Sequence, residues 1–228
     1  MLPVATSLRI IKTPWVTYSI VAANVLIHFL VSWHTNFIIP DGVARTFGFD
    51  PASFGNPSAI PTLITSMFFH GDLLHLFGNI IFLLVFGSRV ENQLERINFL
   101  TFYVTTGISA CLAHMLMEPD SSSPLIGASG AISGVLGAFF ICNPTARITL
   151  VLDPALIYFL RRLTIRLPAW VFLPVWFFLH ISLGLKPHGA NVAFWAHVGG
   201  FLAGAVISVA VYNYISRNRP YPSENRSF

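Results

Sequence analysis

The sequence predicts an all-α, polytopic membrane protein with six transmembrane helices. Three observations carry that reading. Of the 228 residues, 54% are hydrophobic and only 10% are charged, against about 25% charged in an ordinary soluble domain. A soluble fold of this size would lack the polar groups to cover its surface, so the excess apolar surface must face lipid. Next, six apolar runs divide the chain, at 15–33, 73–87, 99–117, 125–142, 167–183 and 192–214. Finally, the basic residues fall in alternate gaps between those runs.

Arg9 and Lys12 precede the first run, which is long and has no small-residue cleavage site. It therefore reads as a retained span and not as a signal peptide. Arg89 and Arg96 follow the second run, Arg147, Arg161, Arg162 and Arg166 the fourth, and Arg217, Arg219 and Arg226 the sixth. Only Arg45 and Lys186 lie on the other side. By the positive-inside rule both termini are expected in the cytoplasm. The net charge of +4 thus concerns orientation in a lipid bilayer, not nucleic acid. Trp15, Trp33, Trp170 and Tyr212 stand near run ends, where interfacial aromatics belong.

The outer gap, 35–66, carries four prolines and the apolar residues Phe37, Ile38, Ile39, Phe47, Phe49 and Phe54. It is too apolar to float freely and is expected to lie against the outer interface. The inner gap, 144–166, mixes apolar residues with arginines and should rest on the inner surface. The expected organisation is a cytoplasmic N-terminus over 1–13, a membrane domain over 14–215 and a cytoplasmic tail over 216–228. A compact six-span chain without added domain or targeting segment points to a bacterial plasma membrane.

Polar residues inside a membrane are costly and mark function by default. One cluster is Gly127-Ala128-Ser129-Gly130 at the start of the fourth run; another is Ala196-His197-Val198-Gly199-Gly200 in the sixth. Taken singly, each has an alternative reading, since serine, glycine and histidine also serve ordinary helix–helix contacts in membranes. Geometry links them. The fourth and sixth spans run in the same direction, and each residue lies a few positions into its span. Gly130 and Gly134 form one Gly-x-x-x-Gly pair, and Gly200 and Gly204 form another; such pairs let helices pack closely. Pressing these faces together would bring the His197 imidazole to the Ser129 hydroxyl, the requirement for base activation of a serine. Pro144 should end the fourth helix, 15 residues after Ser129. That places Ser129 about 22 Å above the inner edge at about 1.5 Å per residue, or about 8 Å below the outer edge of a core about 30 Å thick. Water must reach that depth through a cavity open to the outside.

A third cluster enters the second run, with His70, Asp72, His75 and Asn79. His75 and Asn79 are spaced i, i+4 and share a helix face. Both can donate hydrogen bonds to a tetrahedral oxyanion, together with the Ser129 backbone N–H. The alternative is that they bond loop carbonyls and fix the helix top. His70 reads as structural and Asp72 as a solvent-facing residue at the helix start. No metal is expected: His-Glu-x-x-His is absent, and the His70–His75 spacing does not put two ligands on one helix face. Cys111 and Cys142 lie in apolar runs and suggest neither a disulfide framework nor a zinc site. No acidic residue lies within the runs, so the residues suggest a serine–histidine dyad and not a triad.

These pieces resemble the rhomboid family of intramembrane serine proteases. The resemblance rests on His75-x-x-x-Asn79 in the second span, Gly127-Ala128-Ser129-Gly130 in the fourth and Ala196-His197-x-Gly-Gly in the sixth, in that order, and on Glu91 in a Val-Glu pair. It covers about residues 14–215. It implies a rhomboid-like six-helix bundle around a shortened fourth helix, with the outer loop partly in the membrane. It also implies Ser129 as nucleophile, His197 as general base and His75 and Asn79 around the oxyanion. Gly127, Gly130 and Gly200 are then supporting residues. Substrates would be transmembrane proteins, cut near the outer face after small residues, with no cofactor. Two positions depart from the family pattern. Pro61-Thr62 stands where many members have Trp-Arg, and Ser133 stands where an aromatic ring often stacks on the histidine. A non-catalytic relative that binds membrane proteins is the alternative, although such members usually lose the serine or the histidine. A small transporter fits less well, because no inverted repeat is visible.

Overall fold

The computed structural model describes residues 2–121, 123–151, 164–185 and 193–211. The chain opens with β1, Leu2–Thr6, and then α1, Trp15–Ser32. The outer segment holds two short helices, α2 (Asp41–Phe47) and α3 (Thr62–Thr65), among single 3₁₀ turns. The second apolar helix is one rod in three parts: α4 (Leu73–Phe82), a π turn (Leu83–Gly87) and α5 (Ser88–Leu94). It is followed by α6 (Arg96–Met117), α7 (Ser129–Cys142), the strands β2 (Arg147–Val151) and β3 (Thr164–Pro168), α8 (Ala169–Gly184) and α9 (Phe194–Ala210).

Six apolar helices therefore stand where six apolar runs were read. Three are long and apolar enough to cross a membrane, at Trp15–Thr35, Leu73–Leu94 and Arg96–Met117, and three are shorter. The shortest, α7, is the most enclosed. Its residues from Ala131 to Phe139 are all buried, because it is surrounded by other helices and has no free face to offer lipid. By contrast α1 buries one stripe, Thr17, Ile20, Asn24, His28 and Ser32, and leaves Leu26 and Leu30 exposed on the other side. That stripe follows the 3.6-residue period of a helix with one inward face.

Two boundaries differ most from the sequence reading. The second helix does not stop at Gly87 but continues to Leu94, with Ser88, Glu91, Asn92 and Gln93 buried. Polar residues persist there because each has backbone or side-chain partners. Both Glu91 carboxylate oxygens accept N–H bonds from the first turn of α1, from Val16 at 3.0 Å and Thr17 at 2.8 Å, and Oε2 also takes the Thr17 hydroxyl. Pro14, the residue before that helix, makes no side-chain cap. A buried carboxylate on a helix N-terminus meets both the orphan donors and the helix dipole. Asn92 accepts from Ile11 and Lys12 and donates to the Lys12 carbonyl, and Gln93 pairs with Asn143. So an acidic residue does lie inside the second helix, near its C-terminal end. Glu91→Ala is expected to destabilise the fold by about 1–3 kcal/mol by orphaning these donors, read as a lower unfolding midpoint in detergent micelles, with Glu91→Gln less affected.

The fourth helix begins at Ser129, not near 125. Leu125 is held in an antiparallel bridge with Phe49 of the outer segment, and Gly127 takes φ +118°, which ends any helical path. Tyr212 and the rest of the 192–214 run beyond Val211 lie outside the described residues, as do the 216–228 tail, Lys186 and part of the 144–166 gap.

A three-stranded sheet in the order β1-β2-β3 was not anticipated. The segment Arg147–Val151 has the alternating burial of a strand, but its partner β1 comes from the opposite end of the chain. The sheet ties the N-terminal residues to the segment that leads into α8. The outer segment is likewise ordered. Phe49 is fully buried and exchanges both backbone bonds with Leu125, and Phe47 stacks on Phe69. Ile38, Ile60 and Ile64 remain exposed.

Candidate active site

The core of the site is the contact of α7 with α9. Here the two helices touch through backbone. A β-carbon added at Gly200 would overlap the Gly130 carbonyl, one at Gly204 the Gly134 carbonyl, and one at Gly137 the Phe201 carbonyl. Only glycine allows that approach. The two Gly-x-x-x-Gly faces singled out in the sequence are therefore the faces that meet.

This approach sets the distance between the two chemical groups. Ser129 is the first residue of α7 and His197 lies in the first turn of α9. His197 Nε2 stands 2.9 Å from Ser129 Oγ, a full hydrogen bond. In that pair the hydroxyl can donate and the imidazole accept, which is the geometry needed for proton removal from a nucleophile. Both residues are partly buried. As the first residue of a helix, Ser129 also has an N–H without a partner inside that helix.

The top of α4 faces this pair. Asp72 caps α4 by accepting from the His75 N–H at 2.8 Å. His75 Nδ1 receives the Gly71 N–H at 3.4 Å, so in the neutral ring the proton sits on Nε2. That Nε2–H lies beside Gly127. A β-carbon there would come within 2.7 Å of His75 Nε2 and 3.7 Å of Ser129 Oγ. The missing side chain of Gly127 thus lets the His75 ring pack against the backbone just before Ser129, which brings a hydrogen-bond donor close to the nucleophile. Asn79 is buried one turn below; one amide N–H donates to the His75 carbonyl at 3.0 Å, which leaves a second N–H on the same nitrogen. His70 is buried and its Nε2 accepts from the Ala128 N–H at 3.4 Å, fastening the turn before Ser129.

Ser133 offers no ring to His197. Its hydroxyl donates to the Ser129 carbonyl at 2.7 Å. The rings beside His197 come instead from α8: His180 with its centroid 4.9 Å away and Trp176 at 6.1 Å. Neither was singled out from the sequence. The signal was available for His180, a polar residue within the fifth apolar run. Among the described residues, no three His, Cys, Asp or Glu side chains gather as a metal-ligand set.

The model of the Rhomboid domain matches residues 57–214. This chain belongs to the rhomboid family. Similar relatives include RHOMBOID-like protein 5 of Arabidopsis thaliana, 30% identical over 162 residues, covering 68% of this chain and 46% of the relative. RHOMBOID-like protein 6, mitochondrial, of the same plant is 29% identical over 224 residues, covering 84% and 67%. Rhomboid-like protease 3 of Toxoplasma gondii is 30% identical over 151 residues, covering 66% and 51%. The rhomboid chain spans about half the length of RHOMBOID-like protein 5 and of Rhomboid-like protease 3. It is an integral, multi-pass membrane protein.

Proposed function

We propose that this rhomboid protein is an intramembrane serine endopeptidase that cuts transmembrane segments of other membrane proteins near the outer face. The observation that carries the reading is the 2.9 Å contact of His197 Nε2 with Ser129 Oγ, made at the tops of two apolar helices. His197 acts as general base and removes the hydroxyl proton as Ser129 Oγ attacks the scissile carbonyl. The carbonyl oxygen, now negative, is met by the His75 Nε2–H, the second Asn79 N–H and the Ser129 backbone N–H. His197 then returns its proton to the leaving amine, and water completes hydrolysis of the acyl-enzyme. Gly127 leaves room for the His75 ring beside Ser129; Gly130 and Gly200 hold the two helices at contact. No cofactor takes part.

The orientation follows from the basic residues, with both termini cytoplasmic and segments 1–13 and 216–228 flanking the membrane domain at 14–215. Relatives named as mitochondrial make fractionation the direct check on the membrane. A fluorophosphonate probe tests the central reading. It is expected to label wild-type protein at Ser129 and to fail on His197→Ala; an unlabelled wild type would leave a non-catalytic binder of membrane proteins. Asn79→Ala should lower kcat by about 10²–10³-fold or less, as one donor among several, with KM unchanged in a reconstituted cleavage assay.

A further inference from the structure

His197 has an unmet requirement. To accept a proton at Nε2, its neutral ring must carry its own proton at Nδ1. That Nδ1 is buried and has no hydrogen-bond partner. A buried donor without an acceptor is costly, and the cost rises when the ring becomes a cation. In a serine triad a carboxylate answers this need. Here the ring that lies against His197 is His180.

The state of His180 follows from its own bond. Its Nδ1 is 2.8 Å from the Trp176 carbonyl oxygen. A carbonyl only accepts, so His180 Nδ1 bears the hydrogen and Nε2 bears a lone pair. The two imidazoles meet edge to face, with centroids 4.9 Å apart and planes at 66°. A linear bond of about 2.9 Å between ring nitrogens would set two imidazole centroids about 5 Å apart, so the two rings already stand at the spacing such a bond needs, although His197 Nδ1 is unpaired in the resting structure. Trp176 backs both rings, 4.0 Å from His180 and 6.1 Å from His197, and its π face suits a neighbouring cation.

We infer that His180 is the positioning residue for His197. Its Nε2 accepts the His197 Nδ1–H as the Ser129 hydroxyl proton moves to His197 Nε2, and Trp176 fixes the tautomer that makes this possible. One proton moves, from Oγ to Nε2; the Nδ1 proton stays on His197, and His180 remains neutral. The inference rests on the dyad reading, and it explains how the ring is held when position 133 is a serine.

Two measurements on the full chain in micelles test it. In protein labelled with ¹⁵N-histidine and treated with a fluorophosphonate, His197 Nδ1–H should give a downfield, slowly exchanging proton resonance. His180→Phe keeps an aromatic ring but has no lone pair, and should lose that resonance. In a cleavage assay His180→Phe should lower kcat roughly 10–100-fold, the range for a bond to a charged group, with KM unchanged. His180→Gln, which supplies an acceptor oxygen, should recover most of the rate. Equal losses in both variants with a matching fall in thermal stability would make His180 merely structural and overturn the inference. So would an unchanged resonance and rate in His180→Phe. The resonance can be compared in untreated protein too, so a chain that cleaves nothing would sink the protease reading while this contact is still decided.

Discussion

Ser129→Ala is expected to abolish cleavage of a transmembrane substrate reconstituted with the protein in liposomes. His197→Ala should do the same. Losses on the order of 10⁴–10⁶ in kcat are typical when a serine nucleophile or its base is removed. The double variant should be no worse than either single one, because the two groups act as a unit. The fold should survive. Ser129 is only half-buried, its Oγ makes one hydrogen bond, to His197, and alanine is the better helix former. Unfolding midpoints in micelles should therefore stay close to the wild type for Ser129→Ala while activity vanishes. Substantial cleavage by that variant would rule out the dyad.

The second large effect concerns packing. Gly204→Leu should destroy both the fold and probe labelling. Its side chain would enter the space held by the Gly134 carbonyl, which is helix backbone and unable to rotate away. The helices α7 and α9 must then separate, and they are the two that bring Ser129 to His197. Overpacking in ordinary cores costs about 1–3 kcal/mol, and a backbone obstruction stands at or above the top of that range. Val206, on the same helix, is exposed; Val206→Leu should leave stability and labelling as they were. A Gly204→Leu protein with wild-type melting and labelling would show that the glycine contact does not set the site.

The serine, the histidine and their glycine faces were legible because membranes make such residues conspicuous. Polar groups in apolar runs stand out, and Gly-x-x-x-Gly spacing marks where backbones approach. His75 and Asn79 were legible through i, i+4 spacing on one face. Other features were hidden. Glu91 looked like an inner-gap residue, because its partner, the start of α1, lies 74 residues away. The β1–β2 pairing joins segments still farther apart, and a five-residue strand has too little pattern to announce itself. Trp176 and His180 were passed over among the many aromatic residues of the fifth run.

The sequence by itself determined the class of protein, the six apolar helices and the candidate reacting groups. Those follow from composition and from local periodicity, which act within a run and do not need the rest of the chain. Tertiary structure alone decided where α7 starts, what caps α1, and which rings stand beside His197. Each depends on a partner from a distant segment: Phe49 on Leu125, Glu91 on Val16 and Thr17, His180 against His197. Helix packing brings such partners together, and their separation along the chain leaves no periodic signal by which to pair them.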